Sequence, residues 1–113
     1  MIRHIVLLKF KDSVSEADKQ SIYQELKALK GHVDGIRAFH AGPNVSVETE
    51  MMRGFNDAFW FDFDSAAVRD AYLVDPHHQA AGARIVAHTK GGPDGVIVVD
   101  LEFSSAAGQA RRA

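Results

Sequence analysis

Phe55-Asn56-Asp57-Ala58-Phe59-Trp60-Phe61-Asp62-Phe63 alternates with the period of an extended strand. Asp57, Phe59, Phe61 and Phe63 line one face, and Ala58 and Trp60 occupy the centre of the other. Aromatic residues at this density are the strongest strand signal in the chain. A strand that is apolar on both sides at its centre needs cover on both sides. That requirement governs everything around it.

Downstream, Asp64-Ser65 caps a helix of about 65–74, with Val68 and Tyr72 on one side. Asp75-Pro76 breaks it, and a proline suits the first turn of a new helix. That second helix carries His78, Ala81, Ile85 and His88 as a stripe, and Gly91-Gly92-Pro93-Asp94-Gly95 stops it. Val96 to Phe103 reads as the closing strand. Ile97, Val99, Leu101 and Phe103 oppose Val96, Val98 and Asp100. Upstream, residues 45–53 have no period and form a loop, and Ile36 to Gly42 is a short strand with Ile36, Ala38 and His40 opposite Arg37, Phe39 and Ala41. Ser15 with Glu16 and Asp18 starts a helix over 15–31, on which Ile22, Leu26, Leu29 and Val33 keep helical spacing. The chain opens with a strand over 2–10 that sets His4, Val6, Leu8 and Phe10 against Arg3, Ile5, Leu7 and Lys9.

The order is β-α-β-β-α-β, with the second helical segment broken in two. It predicts an α+β, ferredoxin-like domain over residues 1–103: a four-stranded antiparallel sheet with helices on one face. Residues 104–113 are small, polar and aperiodic and are expected to form a flexible C-terminal tail. Three strands are apolar on both faces, so an uncovered second face would expose several hundred Å² of apolar surface. The expected solution is a homodimer whose two sheets close face to face into an α/β barrel. A monomer with one adhesive face is the alternative.

The 113 residues carry 13 Lys and Arg against 15 Asp and Glu, for a formal net charge of −2. That balance makes nucleic acid and anionic membranes poor partners. The absence of cysteine excludes a disulfide scaffold, a thiol nucleophile and a Cys-based metal site. The longest apolar run near the start is four residues, too short for a signal peptide or a membrane span, so a cytoplasmic protein is expected. Six histidines are the unusual entry in the composition. No His-x-x-x-His or His-x-His lies on one element, so no metal site is expected; no cofactor is expected either. Gly91–Gly95 follows a helix and precedes a strand, the reverse of a phosphate loop.

His4-Ile5-Val6-Leu7-Leu8-Lys9-Phe10-Lys11, Gly42-Pro43-Asn44-Val45-Ser46 and Phe61-Asp62-Phe63 before Ser65 resemble the dimeric α/β-barrel (Dabb) family, also called stress-responsive A/B barrel proteins. Ala71-Tyr72-Leu73-Val74-Asp75-Pro76-His77-His78-Gln79 and the closing Val98-Val99-Asp100-Leu101-Glu102-Phe103 extend the likeness over residues 1–103. The resemblance implies the same fold and dimer. One plant branch of that family consists of polyketide cyclases that perform an intramolecular aldol condensation without a metal or organic cofactor. The chain is similar to that branch at His4, Tyr72 and His78, and carries Asp57 where the branch has a further histidine.

Tyr72 and His78 flank the break at Pro76 and can both point into a space between helices and sheet. A histidine accepts a proton near neutral pH, and a tyrosine hydroxyl donates to a developing enolate. They are the candidate catalytic pair. The competing reading has Tyr72 anchoring its helix to the sheet and His78 capping its own turn. His4 is in phase with the core, as a hydrogen-bonded structural residue or a pocket residue. Asp57, sharing a face with Phe59, needs a partner, and His4 or His78 would serve. His88 would reach the far end of such a pocket. His32, His40 and His77 read as surface residues. The expected protein binds an apolar or aromatic small molecule and performs cyclase, lyase or isomerase chemistry on a ketone. A non-enzymatic stress-associated dimer with a collapsed pocket and a cofactor-independent monooxygenase are the alternatives.

Overall fold

The computed structural model describes residues 1–104; the expected tail lies, from residue 105 on, outside the described residues. The elements are β1 (Ile2–Leu8), α1 (Glu16–Lys27) with a 3-10 turn at Ala28–Gly31, β2 (Ile36–Pro43), β3 (Asp57–Phe63), α2 (Ala66–Val74), α3 (Pro76–His88), a 3-10 turn at Gly92–Gly95, and β4 (Val96–Glu102). The strands form one antiparallel sheet in the order β2-β3-β1-β4. This is the α+β, ferredoxin-like architecture expected from the strand and helix order. Among the described residues no helix is long and apolar enough to cross a membrane.

Local chemistry sets the helix starts. Ser15 accepts from the backbone N–H of Asp18, and Asp18 reaches back to the backbone N–H of Ser15, a reciprocal capping box. Ser65 accepts from the backbone N–H of Val68 at the start of α2. The helices cover the face bearing Ile2, His4, Val6 and Leu8 of β1 and Asp57, Phe59, Phe61 and Phe63 of β3. Leu8, Phe61, Phe63, Ile22, Leu26 and Leu29 form the driest part of the core.

Two expectations about the strands change. β1 and β3 are shorter than the alternation suggested, because Leu8 pairs with Asp57 on one side and Val96 on the other, and no ladder partner continues beyond them. Phe10 instead makes a lone bridge to Thr89. The register of β2 shifts between Ile36 and Ala38, where one extra residue is accommodated. The bulge reverses the parity of the strand. Phe39 therefore turns inward against Phe59 and Phe61, while His40 is exposed, as expected of a surface residue, and packs on Trp60 at 4.8 Å between ring centroids.

The face away from the helices carries Ile5 and Leu7 of β1, Trp60 of β3 and Ile97, Val99 and Leu101 of β4. The last three are each at least 39% exposed. This is the second apolar face that the strand patterns required.

Candidate active site

The break between α2 and α3 builds the site. Asp75 ends α2, donating its backbone N–H to the carbonyl of Tyr72, and its carboxylate starts α3 by accepting from the backbone N–H groups of His77 (2.8 Å) and His78 (3.2 Å). Pro76 fills the first helical position, where a missing N–H costs nothing. One residue thus closes one helix and opens the next. Tyr72 in the last turn of α2 and His78 in the first turn of α3 face each other with ring centroids 4.0 Å apart.

A cavity of about 250 Å³ opens between these helices, β1 and β4. His4, Phe59, Tyr72 and His78 line it, with Ile85 and Val98 among the apolar walls. Its exposed apolar rim includes Leu73, Val86 and Val98. The space reserved for the collapsed alternative is open: Phe59 and Ile85 form its walls rather than filling it, and Phe61 is buried outside its lining.

Two polar atoms at this cavity are buried without a hydrogen-bond partner among the described residues: the Tyr72 hydroxyl and His78 Nδ1. Burial pushes the Tyr72 phenol well above its ordinary range, so it keeps its proton at neutral pH. Burial also lowers the His78 pKa, and nearby His4 lowers it further against the opposing pull of Asp75. His78 is therefore neutral at pH 7 and able to accept a proton. The reading in which Tyr72 anchors its helix through the hydroxyl finds no acceptor, although its ring is fully buried between Phe61 and Phe63.

His4 lies beside Tyr72 at 5.7 Å between centroids. Its Nδ1 is 2.6 Å from a carboxylate oxygen of Asp100, whose other oxygen accepts from Arg69 at 3.3 Å. His4 and Asp100 are register partners on neighbouring strands, so the sheet itself sets this contact. With Asp100 ionised, Nδ1 carries the ring proton and donates it. The carboxylate that serves the site is thus Asp100, which the sequence reading did not single out. Its signal was available: Asp100 shares its strand face with Val96 and Val98, and the β4-β1 pairing of this fold brings that face beside His4.

Two expected site residues lie elsewhere. Asp57 is on the predicted face but at the opposite end of β3, where it accepts from Lys19 Nζ at 3.1 Å, not from His4 or His78. His88 is outside the cavity lining, and its Nδ1 lies 2.7 Å from the carbonyl of Arg84. Ten residues of α-helix leave His88 about 80° around the helix from His78. The helix presents Gly82, Ile85 and Val86 to the cavity instead. His77 is exposed and stacks on His32 with centroids 4.1 Å apart. Among the described residues no group of three or more His, Asp or Glu side chains is placed to hold a metal ion.

Comparison with known proteins agrees with this fold. The chain is 27% identical over 104 residues to a stress-response A/B barrel domain-containing protein of Arabidopsis thaliana, covering 92% of this chain and 91% of that protein. It is 24% identical over 81 residues to olivetolic acid cyclase of Cannabis sativa, covering 72% and 79% of the two chains. A crystal structure of a dimeric ferredoxin-like protein from Jannaschia sp. CCS1 superposes with a TM-score of 0.82 and 32% identity, over 90% of this chain and 98% of that one. The family model for the stress responsive A/B barrel domain matches residues 2–103. From β1 to the end of β4, the chain belongs to the stress responsive A/B barrel domain family.

Proposed function

We propose that the protein is a homodimer that binds an apolar, ketone-bearing small molecule in the cavity of each subunit and transfers a proton on it without metal or organic cofactor. The observation that carries this reading is the pair of unpartnered polar atoms, the Tyr72 hydroxyl and His78 Nδ1, buried at an otherwise apolar cavity. Leaving such groups without partners costs about 1–3 kcal/mol each. A bound carbonyl compound would supply the missing contacts.

In this scheme neutral His78 takes a proton from the carbon beside the carbonyl. The C–H electron pair forms the enolate, and its oxygen accepts a hydrogen bond from Tyr72. Imidazolium then returns the proton, to a different carbon in an isomerisation or to the new alkoxide after aldol ring closure. Atoms and charge balance without an oxidant. His4, fixed by Asp100, orients the substrate's polar end. The similarity to a protein named olivetolic acid cyclase supports ring-forming chemistry. The dimeric relative and the exposed Ile97, Val99 and Leu101 support pairing through the outer sheet face.

The test is a panel of aryl and alkyl ketones screened by thermal shift on wild type, His78→Ala and Gly82→Leu. A Cβ on Gly82 meets no atom within 4 Å, so a leucine there starts from open space in the cavity lining. Ligands that stabilise wild type are then followed by NMR for deuterium uptake beside the carbonyl. Loss of a general base slows such exchange about 10²–10⁴-fold, and that loss is expected for His78→Ala. A panel in which no ketone distinguishes the three proteins refutes the binding site. Sedimentation showing a monomer at micromolar concentration refutes the dimer.

A further inference from the structure

A second cavity, about 520 Å³ in volume, shares no lining residue with the first. It lies where β1 runs out towards α1, about 13 Å along the strand from His4 at ~3.3 Å per residue. Four lysines line it: Lys9, Lys11, Lys19 and Lys90. Against them stand two carboxylates, Asp12 and Asp57. Asp57, itself 7% exposed, is taken by Lys19, which also reaches Glu16 at 3.4 Å. Asp12 is taken by Lys90 at 3.0 Å. Among the described residues Lys9 and Lys11 have no carboxylate partner. Lys9 sits over the Phe55 ring at 4.8 Å, and Lys11 donates to the carbonyl of Ala87 at 3.1 Å. Each ammonium carries three N–H donors, so neither is saturated by these contacts.

We propose that this cavity is an anion site for a phosphorylated small molecule, held by Lys9, Lys11 and Lys90. A chain of net charge −2 here gathers four ammonium groups around one concave space, against Asp12, Asp57 and, at Lys19, Glu16. The roots of the lysines are fixed. The backbone N–H of Lys9 donates to Gly95, that of Lys90 donates to Lys9, and that of Lys11 donates to His88, all within 2.9 Å. An anion entering such a frame has little backbone to order. Among the described residues the cations of the lining are all lysine. Lysine binds phosphate as a point charge, and several ammonium groups can meet a tetrahedral anion from different sides. Phe10 and Val14 supply an apolar strip for the remainder of the molecule.

The experiment is calorimetric titration of the full chain with pyrophosphate at constant ionic strength, with citrate as the carboxylate arm. Saturable one-to-one binding per subunit is expected, weakened about tenfold or more in Lys11→Gln/Lys90→Gln because charge-assisted contacts are lost. Lys27→Gln/Lys30→Gln, which removes two exposed lysines at the other end of α1, should stay within about twofold of wild type. His78→Ala should bind pyrophosphate as wild type does, which separates this site from the ketone cavity. Non-saturable heats, equal weakening by both double variants, or tighter binding of citrate than of pyrophosphate would overturn the proposal.

Discussion

Replacing Tyr72 with phenylalanine removes a single oxygen from the cavity wall. The ring is wholly buried and packs against Phe61 and Phe63 at 5.0 Å, His4 at 5.7 Å and His78 at 4.0 Å between centroids. Phenylalanine keeps all of these contacts. The hydroxyl it removes has no partner. An unsatisfied buried polar group costs about 1–3 kcal/mol, so Tyr72→Phe should unfold with a free energy about 1 kcal/mol higher than wild type. In a domain of this size that raises Tm by about 4 °C. The same change should abolish the proton exchange proposed for the cavity, because no donor then faces the enolate. Stability and activity move in opposite directions, as expected for a group held unsatisfied for function. Urea unfolding followed by circular dichroism, with both proteins at one concentration, measures the first. Deuterium uptake measures the second. A midpoint shifted down by the equivalent of about 1 kcal/mol or more would show that the hydroxyl is a structural anchor, and the reasoning would fail.

Three further outcomes follow from other parts of the structure. Because burial lowers the His78 pKa in the folded protein, the unfolded chain binds this proton more readily; the associated stability is present above pH ~6.5 and is lost as pH falls through the folded value. Urea midpoints of wild type should therefore decline from pH 7.5 to 5.5 more steeply than those of His78→Gln, and parallel slopes would contradict the shift. Asp57→Ala should destabilise the fold by about 1 kcal/mol, since it takes the closest partner from Lys19, which is partly exposed and keeps Glu16 at 3.4 Å, yet leave ketone binding at His78 unchanged; a matching loss of binding would place Asp57 back in the first cavity. Gly95→Ala puts a Cβ 2.7 Å from the Lys90 carbonyl oxygen and 2.8 Å from Thr89 Cβ, so a loss of about 1–3 kcal/mol is expected in thermal unfolding, and a neutral result would mean that this turn can yield.

The parts of the site legible in the sequence are those fixed by local rules. The Asp75-Pro76 break positions Tyr72 and His78 within seven residues of chain, and alternation alone turns His4 inward. Asp57 shows where alternation stops being informative. Its face is the expected one, but a two-residue period says nothing of distance along the strand, and β3 begins at this residue. Asp100 requires the pairing of the first and last strands in one register, a contact across 96 positions that no local pattern encodes. The β2 bulge is of the same kind. One extra residue, forced by pairing with β3, turns Phe39 inward without altering the sequence pattern. His88 was lost to helical phase, since ten residues do not make a whole number of turns.

β4 is an edge strand seven residues long, and its two faces belong to different structures. Val96, Val98 and Asp100 form one wall of the cavity at Tyr72 and His78; Ile97, Val99 and Leu101 point at the proposed partner subunit. Adjacent residues of an extended chain cannot be displaced independently. A ligand large enough to press Val98 outward would lever Ile97 and Val99 against the second copy. In the proposed barrel the seam between subunits would lie directly behind each pocket wall, so the bulk of a ligand in one subunit would be felt at the surface of the other.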